Sequence, residues 1–501
     1  MKRLIIAGVL ACALWPVYGQ RVLSVNECRR LALEHNRDLA ISREKINAAT
    51  NTRKAAFTSY LPELSATGTY LHNQKEVSLL SDEQKHKLQN LGTDLVTAIG
   101  QNPYITTAIQ SILAQHPDLA PLIGSMMPQI AAQTSQGLNA FGTHLVDAVR
   151  TDTRNVYAGV LTLTQPLYVG GKIYAYNRIT RYAEEIAHWQ YKTGQQDVIL
   201  ATDQAYWQVV SLANKHRLAE SYLELLTKLD NDVQKLIKEG LATRADGLNV
   251  SVKVNEAEMT LAKVEDGLSL SRMLLCQTIG LPLDETITLA DEGQEELPTA
   301  IVPAETDLQY TLDNRPELKS LALLEQISKQ KIRLTRSEYL PSLAFVANYL
   351  VTNPSSFNGF ENKFGGMWNV GVMLKVPIWH WGQGTHKVRA AKAEARIAAQ
   401  QLAKARESIE LQLSQSVLKV READKRLVMA TKNMEKAEEN LRYANVGFRE
   451  GVITASNVLE AQTAWLSARS AKIDAQIDVK LTELMLRKAS GHLSPEEVVS
   501  E

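Results

Sequence analysis

The sequence predicts a mainly α-helical protein that also carries a small set of membrane β-strands. Three observations support this fold class. The 68 residues between Gly382 and Gly451 have the composition and the apolar spacing of one very long helix. Short segments of alternating apolar and polar residues come before it. Both features occur twice in the chain, so the fold is predicted to consist of two copies of one strand-and-helix unit.

The long helix is predicted from residue type and spacing. Ala, Leu, Lys, Glu, Gln and Arg dominate the stretch, and all of them are strong helix formers. A helix of this length measures roughly 100 Å, so its apolar face has to be covered by other long helices, as in a coiled coil. Small and apolar residues recur on that face in steps of three and four, with one slip: Val388, Ala391, Ala395, Ala398, Leu402, Ala405, Ile409 and Leu413, then Val420, Ala423, Leu427, Ala430, Met434, Ala437, Leu441, Ala444 and Phe448.

The amino terminus has the features of a secretory signal peptide, predicted to cover residues 1–19. Two basic residues precede an apolar run from Leu4 to Leu14, and Gly19 precedes the expected cleavage site. The run is too short to cross a bilayer as a helix. Lipoprotein cleavage at Cys12 is a second possibility, but it would leave almost no apolar core in the signal. No later segment has the composition of a membrane-spanning helix, so a membrane location would have to use β-strands.

Two cysteines, Cys28 and Cys276, remain after removal of the signal peptide. Export would permit a disulfide between them. Both lie in helical apolar patterns, however, which favours two ordinary buried thiols.

Internal repetition defines the organisation of the chain. QPLYVGG at 165–171 corresponds to VPIWHWG at 376–382, and this offset of 211 residues continues without a gap to Gly280 and Gly491. Upstream, YLPELSATGTY from Tyr60 matches YLPSLAFVANY from Tyr339 at an offset of 279 residues, so the first copy contains additional sequence. The predicted segments are the first repeat at 20–281 with an insertion at about 72–155, an inter-repeat linker at 282–306, the second repeat at 307–493 and a flexible tail at 494–501.

Each copy is predicted to begin with a helix that leads into a strand, and the first helix is expected to run from Val25 to Ser59. The YLP sequence ends it, because a residue before proline avoids the helical conformation. Along the last strand Trp368 and Val370 share an apolar face opposite Asn369. This alternation is typical of a lipid-facing barrel strand, although a strand in a soluble sandwich alternates in the same way. The predicted strands are 64–71, 156–165, 343–351 and 368–376.

Aromatic residues gather at the ends of these strands. Tyr168, Trp379 and Trp381 lie where a strand passes into a long helix, and Tyr60 and Tyr339 lie where a helix passes into a strand. Side chains with an apolar body and a polar tip concentrate at the boundary between water and lipid, which predicts membrane-interface positions for all five. Ordinary packing at a corner is the alternative explanation.

The two long helices end in matching turns, EGLATRAD at 239–246 and EGVITASN at 450–457. Gly240 and Gly451 are predicted to stop the helices in a left-handed conformation. Thr243 and Thr454 are predicted to cap the returning helices. These residues make good turns whatever their function. Because the turns would lie roughly 100 Å from the strands, the hairpin ends are also predicted to be docking surfaces.

The insertion is the least interpretable segment. Between Asn102 and Gly142 its only charged residue is Asp118. YITTAIQSILAQ at 104–115 and the segment 126–137 predict short amphipathic helices. The insertion is either a self-packed cap over a loop or an element that narrows the outer mouth or binds a partner.

The paired YLPxL strands, the xPIxxxG corners, the long helix and the xEGxxT hairpins together resemble the TolC family of outer-membrane efflux proteins. The resemblance covers essentially the whole mature chain. It implies a homotrimer in which each subunit contributes four strands to a shared 12-stranded β-barrel, above a long periplasmic coiled-coil tunnel. It also implies an outer-membrane channel of a tripartite efflux or type I secretion system, without a cofactor. A periplasmic adaptor and an inner-membrane pump would be its partners, and the adaptor would dock on the hairpin ends.

In the family, helix coiling closes the periplasmic end, which carries rings of acidic residues on the second returning helix. The matching positions on the second returning helix are Asn457 and Glu460, and Asp246 matches an acid of the first hairpin. We therefore expect a periplasmic constriction at Asp246, Asn457 and Glu460, with cation preference from Glu460. The family's closing Tyr and Arg are replaced by Phe448 and Ile453, so the closed state is expected to be weaker.

The sequence offers little support for other functions. The ten histidines never form HExxH, and GGK at 170–172 lacks the spacing of a phosphate-binding loop, so no enzyme is predicted. The formal net charge is zero and no basic stripe occurs, which argues against a nucleic-acid partner. The main alternative is a secreted soluble coiled-coil scaffold with its strands in a small sandwich.

Overall fold

The computed structural model describes residues 21–76, 78, 80–150, 152–294, 307–355, 357 and 361–494. The predicted signal peptide, the second half of the predicted linker and nearly all of the predicted tail lie outside these residues. The described chain forms two compact units. The helical unit comprises residues 21–57, 172–336 and 381–494, and the sheet unit comprises residues 58–171 and 337–380, within the described ranges.

The helices of the described chain are α1 Val25–His35, α2 Arg37–Thr58, α3 Asp82–Gln89, α4 Leu91–Gly100, α5 Pro103–Gln115, α6 Ala120–Ala148, α7 Lys172–Lys238, α8 Arg244–Ile279, α9 Leu308–Asn314, α10 Pro316–Ser337, α11 Gln383–Arg449 and α12 Ala455–Ala489. The strands are β1 Arg21–Leu23, β2 Glu63–His72, β3 Asn155–Val169, β4 Ile287–Leu289, β5 Ser342–Asn353 and β6 Gly365–Lys375. A 3₁₀ turn at Pro117–Leu119 separates α5 from α6.

Two 67-residue helices, α7 and α11, dominate the helical unit. Each packs against the helix that follows it, α8 and α12 respectively. The predicted small-residue face of α11 is buried at most of its positions, which confirms the sequence interpretation. Ser416 is buried at the predicted slip, between Leu413 and Val420, and its hydroxyl donates to the Gln412 carbonyl at 2.8 Å. The face therefore continues through the slip because a small hydroxyl satisfied by its own helix can be buried there.

The largest apolar core of the helical unit lies where α1 meets α7, α8 and the small parallel pair β1–β4. Tyr206 of α7 is fully buried in it, and its hydroxyl donates to Asp291 Oδ2 at 2.5 Å. Burial, reinforced by the nearby Asp291 carboxylate, raises the pKa of Tyr206 well above its usual range. Cys28 and Cys276 are buried in the same core and are not joined by a disulfide, as their helical setting predicted.

The predicted helix from Val25 to Ser59 is wrong in one respect, because it is broken at Asn36 into α1 and α2. Asn36 is extended, and its side-chain amide donates to the Thr278 carbonyl at the end of α8, at 3.1 Å. In the second copy, Arg315 occupies the corresponding position and donates to the Ala489 carbonyl at the end of α12, at 2.9 Å. In each copy, a side chain at the break between two helices thus donates a hydrogen bond to a carbonyl at the end of the returning helix.

The sheet unit contains one antiparallel sheet with the strand order β2–β3–β5–β6. All four predicted strands are present, with bounds within four residues of the prediction. Strands β2 and β3 come from the first copy, and β5 and β6 come from the second. The two copies are joined by pairing of β3 with β5, in a register that pairs Leu161 with Tyr349. Consequently β2 and β6 each lie at an edge of the described sheet.

The insertion between β2 and β3 folds into α3, α4, α5 and α6. Helices α4 and α6 pack closely: a methyl group on Gly92 would lie 2.3 Å from the Ser135 carbonyl oxygen. A methyl group on Gly142 of α6 would lie even closer to the backbone carbonyl oxygen of Leu88. The sequence predicted short helices, but α6 is 29 residues long and continues through Pro128. Its second half is held by packing against α3 and α4, which compensates for the hydrogen bond that the proline cannot make.

Candidate functional site

The sheet has two chemically different faces. Residues paired across the strands share a face, so the register defines each row. One row carries Leu64, Leu163, Ala347 and Val370, and the next carries Ala66, Leu161, Tyr349 and Trp368. Many of these side chains are exposed, and Trp368 exposes 71% of its surface. We call this the apolar face, and its exposure shows that it needs a cover that the described chain does not supply.

The opposite face carries a polar row that crosses all four strands. Ser65 pairs with Thr162, Thr162 with Asn348, and Asn348 with Asn369. The Asn348 amide donates to Asn369 Oδ1 at 3.0 Å. The alternation predicted from the sequence is therefore present as one apolar face and one face with a continuous polar row, an arrangement suited to lipid on one side and water on the other.

The aromatic residues predicted at the strand ends lie in both units. In the sheet unit Tyr60, Tyr168 and Trp379 are exposed, while Tyr339 is half-buried with its ring edge-on to His380 at 5.7 Å. Trp381 belongs to the helical unit, is exposed, and has a positive φ of 48°. Their exposure is compatible with the predicted interface role, which stays a prediction.

A second aromatic group lies at the opposite end of the sheet and was missed in the sequence. The rings of Tyr70 and Tyr157 are 5.0 Å apart, and that of Phe364 is 6.3 Å from Tyr157. Tyr70 and Tyr157 are directly paired at the ends of β2 and β3 that lead to the insertion. The sequence contained a signal for this group, because each tyrosine continues the apolar alternation of its strand close to the end of the strand.

The two hairpin ends of the helical unit have the same backbone design. At the first end, the Leu241 amide donates to the Leu236 carbonyl at 2.8 Å and the Gly240 amide donates to the Ile237 carbonyl at 3.1 Å. At the second end, the Val452 and Gly451 amides make the corresponding bonds to Gly447 and Phe448, at 2.9 and 3.1 Å. This is the Schellman pattern, and it requires a left-handed residue at the glycine. Gly240 and Gly451 have φ values of 74° and 72°, which confirms their predicted role as helix stops.

The returning helices begin with the predicted threonine caps, but the two caps are not identical. Thr243 accepts from the Asp246 amide, and the Asp246 carboxylate accepts from both the amide and the hydroxyl of Thr243, at 3.0 and 2.6 Å. These hydrogen bonds lower the pKa of Asp246. Thr454 accepts from the Asn457 amide at 3.4 Å, without a reciprocal bond from the Thr454 amide to the Asn457 side chain among the described contacts.

The structure brings two of the three predicted constriction residues together. Asn457 and Glu460 lie one helical turn apart on α12, and both are exposed. Asp246 lies on α8, and its carboxylate is engaged in the cap of that helix. The first hairpin acid therefore has a structural partner, whereas Glu460 is presented on the helix surface.

The residues that replace the family's closing Tyr and Arg pack within their own hairpin. Phe448 and Ile453 are half-buried against the apolar cluster that includes Val458 and Leu459. Ile453 also lies over Gly447, where an added methyl group would be 2.6 Å from its Cδ1 atom. This end of the hairpin is held by apolar contacts within one chain.

Each hairpin end also exposes one large aliphatic residue that the sequence analysis did not single out. Leu241 exposes 76% of its surface and Val452 exposes 82%. They occupy the same position of the Schellman motif, and the 211-residue offset relates them, so the repeat itself was a usable signal. Matched exposed aliphatic residues at both ends are compatible with the predicted docking role of Gly240, Thr243, Gly451 and Thr454, which remains a prediction.

Replacing Thr243 with alanine tests the cap of the first hairpin. Loss of the cap should destabilise the start of α8 by about 1 kcal/mol, because the Asp246 amide loses its acceptor. Amide hydrogen exchange at 244–248 should accelerate, while exchange in the middle of α8 stays unchanged. Arg244→Ala, which leaves the cap intact, is the control. Equal exchange in the two variants would contradict a capping role for Thr243.

Within the described residues, no group of three or more His, Cys, Asp or Glu side chains is arranged to hold a metal ion. No helix in the same part of the chain combines the length and the apolarity needed to span a bilayer.

The comparisons with known proteins agree on one family. The model of the family described as outer membrane efflux protein matches residues 124–281 and 308–492, more than half of the chain. The chain is 23% identical over 397 residues to the outer membrane protein TolC of Vibrio cholerae, with 75% of this chain and 84% of TolC covered. It is 22% identical over 406 residues to the alkaline protease secretion protein AprF of Pseudomonas aeruginosa, with 74% and 82% covered.

The fold agrees as well. The solved structure of the outer-membrane channel OprN matches with a TM-score of 0.70 and 15% identity, covering 93% of this chain and 89% of OprN. These similarities favour a channel over a soluble scaffold and place the protein in the outer membrane, extending into the periplasm. Two repeats, a two-faced sheet and paired long helical hairpins thus have one explanation: the chain belongs to the outer membrane efflux protein family, as an outer-membrane channel for efflux or secretion.

Proposed function

We propose that three copies of this chain close their sheets into one 12-stranded β-barrel in the outer membrane and combine their helices into a periplasmic tunnel. The single observation that carries the proposal is the sheet, whose β2 and β6 edges lie open beside an exposed apolar face. In lipid, unpaired strand edges are too unfavourable to persist, so the sheet has to close with other sheets. The apolar face would then contact lipid, and the polar row from Ser65 to Asn369 would face the water-filled interior.

The strand lengths support the same proposal. The four strands contain 10, 15, 12 and 11 residues. A tilted strand of about 9–11 residues crosses the hydrocarbon core of a bilayer. Aromatic groups at both ends of the sheet, Tyr70 with Tyr157 and Tyr168 with Trp379, would then occupy the two interfaces.

The trimer is tested by extraction and mass determination. The protein should stay with the outer-membrane fraction until detergent is added, and light scattering should then give three times the mass of the mature chain. A monomer that is soluble in water without detergent would contradict the proposal.

We further propose that the hairpin ends contact a periplasmic adaptor, which links the channel to an inner-membrane pump. The exposed Leu241 and Val452 give each subunit two apolar contact points in the same structural setting. AprF carries alkaline protease secretion in its name, and the matching family model is described as outer membrane efflux protein, so secretion and efflux are both represented among the proteins that this chain resembles. Leu241→Ser and Val452→Ser should weaken adaptor binding while the trimer persists, because the Schellman backbone does not depend on these side chains.

A constriction at Glu460 is the third part of the proposal. Three copies of an exposed carboxylate around one axis would attract cations and repel anions. In planar bilayers, Glu460→Gln should lower the cation-to-anion permeability ratio by at least about threefold, because the pore loses its ring of negative charge. Glu34→Gln removes the same charge from the surface of α1 and should leave the ratio unchanged. An unchanged ratio in Glu460→Gln would rule out this role.

A further inference from the structure

The outer half of the insertion presents apolar side chains that the described chain leaves uncovered. On α5, Tyr104 exposes 86% of its surface, and Ile112 is also exposed. On the first half of α6, Leu122, Met126 and Ile130 are exposed and recur in steps of four residues, so they share one side of the helix. We call these two surfaces together the insertion face. Such a concentration of exposed aliphatic side chains marks a contact surface.

The insertion face is carried by a folded base. Asn139 of α6 accepts from the Gly92 amide at 2.7 Å and donates to the Thr93 hydroxyl at 2.7 Å, which joins α6 to α4. Where the chain enters and leaves the insertion, Glu76 accepts from Arg150 Nε at 3.1 Å. This bond lowers the pKa of Glu76, so the bridge is charged at neutral pH. The second half of α6 is therefore anchored, and its first half, which carries part of the insertion face, continues from this anchored segment.

The scarcity of charged residues argues against an anionic lipid surface or a strongly charged partner as the cover of the insertion face. Between Asn102 and Gly142 the sequence has one charged residue, Asp118. A helix that lies on an anionic lipid surface carries Lys and Arg on its polar side, and α5 has neither. A partner with an acidic or basic surface would likewise find no complementary charge there.

A second copy of the chain fits the insertion face better. The insertion directly follows β2, the edge strand through which the proposed trimer closes, so the three insertions would emerge from one rim around one axis. Contacts near such an axis bring the same residue types of different copies together. Like charges would repel there, whereas aliphatic side chains pack favourably.

We propose that the insertion faces of the three copies pack against one another and form a helical cap over the extracellular rim of the barrel. The proposal rests on the trimer proposed above. It assigns the insertion to contact between copies and identifies α5 and the first half of α6 as the interface. The contact would bury Ile112 and Ile130 of each copy.

Cysteine cross-linking tests the interface in the full-length protein. Ile112→Cys and Ile130→Cys are made singly, and the purified detergent-solubilised trimer is oxidised with copper phenanthroline. Both variants should form disulfide-linked species on non-reducing gels, because a disulfide requires the two Cα atoms to approach within about 7 Å. Lys87→Cys lies exposed on α3, away from the insertion face, and should cross-link at least about tenfold more slowly. The unaltered protein is the blank, because Cys28 and Cys276 are buried.

The outcomes separate this inference from the proposed function. Trimer mass by light scattering together with cross-links at both positions supports the cap. Trimer mass with cross-linking at both positions no faster than at Lys87→Cys overturns the cap and leaves the channel proposal intact. A monomer overturns both.

A second measurement addresses lipid as the alternative cover. A bimane fluorophore attached to Ile130→Cys is placed in nanodiscs that contain brominated phospholipid. Quenching comparable to that of a label on the apolar face at Val370→Cys would show that lipid covers the insertion face and would overturn the inference. Quenching as low as that of a label at Lys87→Cys supports contact between copies.

Discussion

Replacing Arg29 with alanine is expected to lower the free energy of unfolding by about 3–5 kcal/mol at neutral pH. The Arg29 guanidinium makes two parallel hydrogen bonds to Asp203, from Nε at 2.7 Å and from Nη2 at 2.6 Å. The two side chains are only 13% and 3% exposed. Removing Arg29 therefore leaves an ionised carboxylate buried between α1 and α7 without its partner. Guanidinium unfolding of the detergent-solubilised protein, followed by loss of helical circular dichroism, measures the change.

The pH dependence of this loss has a defined sign. Burial raises the pKa of Asp203, while the hydrogen bonds and positive charge of Arg29 oppose the rise. Without Arg29 this opposition is lost and the pKa of Asp203 rises further above its unfolded value, so the variant gains stability as the pH falls through the raised pKa. The difference from the unaltered protein should accordingly shrink as the pH is lowered from neutral.

Arg30→Ala is the matched control for Arg29→Ala. Arg30 is the next residue of α1, and it pairs with Glu34 at 3.4 Å with both side chains about half exposed. Exposed ion pairs contribute little, so its loss should change stability by less than about 1 kcal/mol. The double replacement Arg29→Leu with Asp203→Leu should recover most of the loss, because no buried charge remains. Similar losses for Arg29→Ala and Arg30→Ala would contradict the explanation.

The repeat made much of this fold accessible from the sequence. The residues from Ala391 to Ala444 were recognised as one packed face because helix periodicity depends on local spacing alone. The strand pattern around Trp368 was equally local, because alternation along a strand depends only on neighbouring residues. The glycine and threonine roles at the hairpin ends followed from backbone conformation, which is also local.

The features that escaped prediction depend on contacts between distant residues. The break at Asn36 is held by the Thr278 carbonyl, and its local signal is a single residue: Asn36 Oδ1 accepts from the Asp38 amide at 2.9 Å, as at a helix start. In the second copy Pro316 marks the same break, so the 279-residue offset could have transferred it. The pairing of Val22 with Thr288 joins two short segments far apart in the chain, and such short strands have no periodicity of their own.

The candidate site likewise combines features that the local sequence predicts with features that depend on contacts between distant residues. The alternation of apolar and polar strand positions was visible, but the continuity of the polar row from Ser65 to Asn369 depends on the register between strands. The role of Asp246 was also hidden, because a carboxylate three residues after a threonine can either cap a helix or face solvent. In this protein it caps the helix, with a 2.6 Å bond from the Thr243 hydroxyl.

Gly280→Ala is expected to destabilise the protein by about 2–5 kcal/mol, and Gly240→Ala by only about 1–2 kcal/mol. Both glycines end a helix in the left-handed conformation, with φ values of 76° and 74°. A methyl group on Gly240 would meet no atom within 4 Å, so the substitution is opposed by the backbone conformation alone. A methyl group on Gly280 would lie 2.6 Å from the His35 Cβ atom and 3.1 Å from the His35 carbonyl oxygen. The added clash would push the end of α8 away from the break between α1 and α2.

The second copy contains a matching glycine that gives an intermediate case for comparison. Gly491 corresponds to Gly280 and has a φ of 79°, but a methyl group on it would lie 3.4 Å from the nearest atom, Asn314 Cβ. Gly491→Ala should therefore fall between the other two variants. The order of unfolding midpoints in guanidinium should be Gly240→Ala highest, Gly491→Ala next and Gly280→Ala lowest. Equal midpoints would show that backbone conformation alone sets the effect, since all three glycines share it, and that the close packing of His35 on Gly280 contributes nothing to stability.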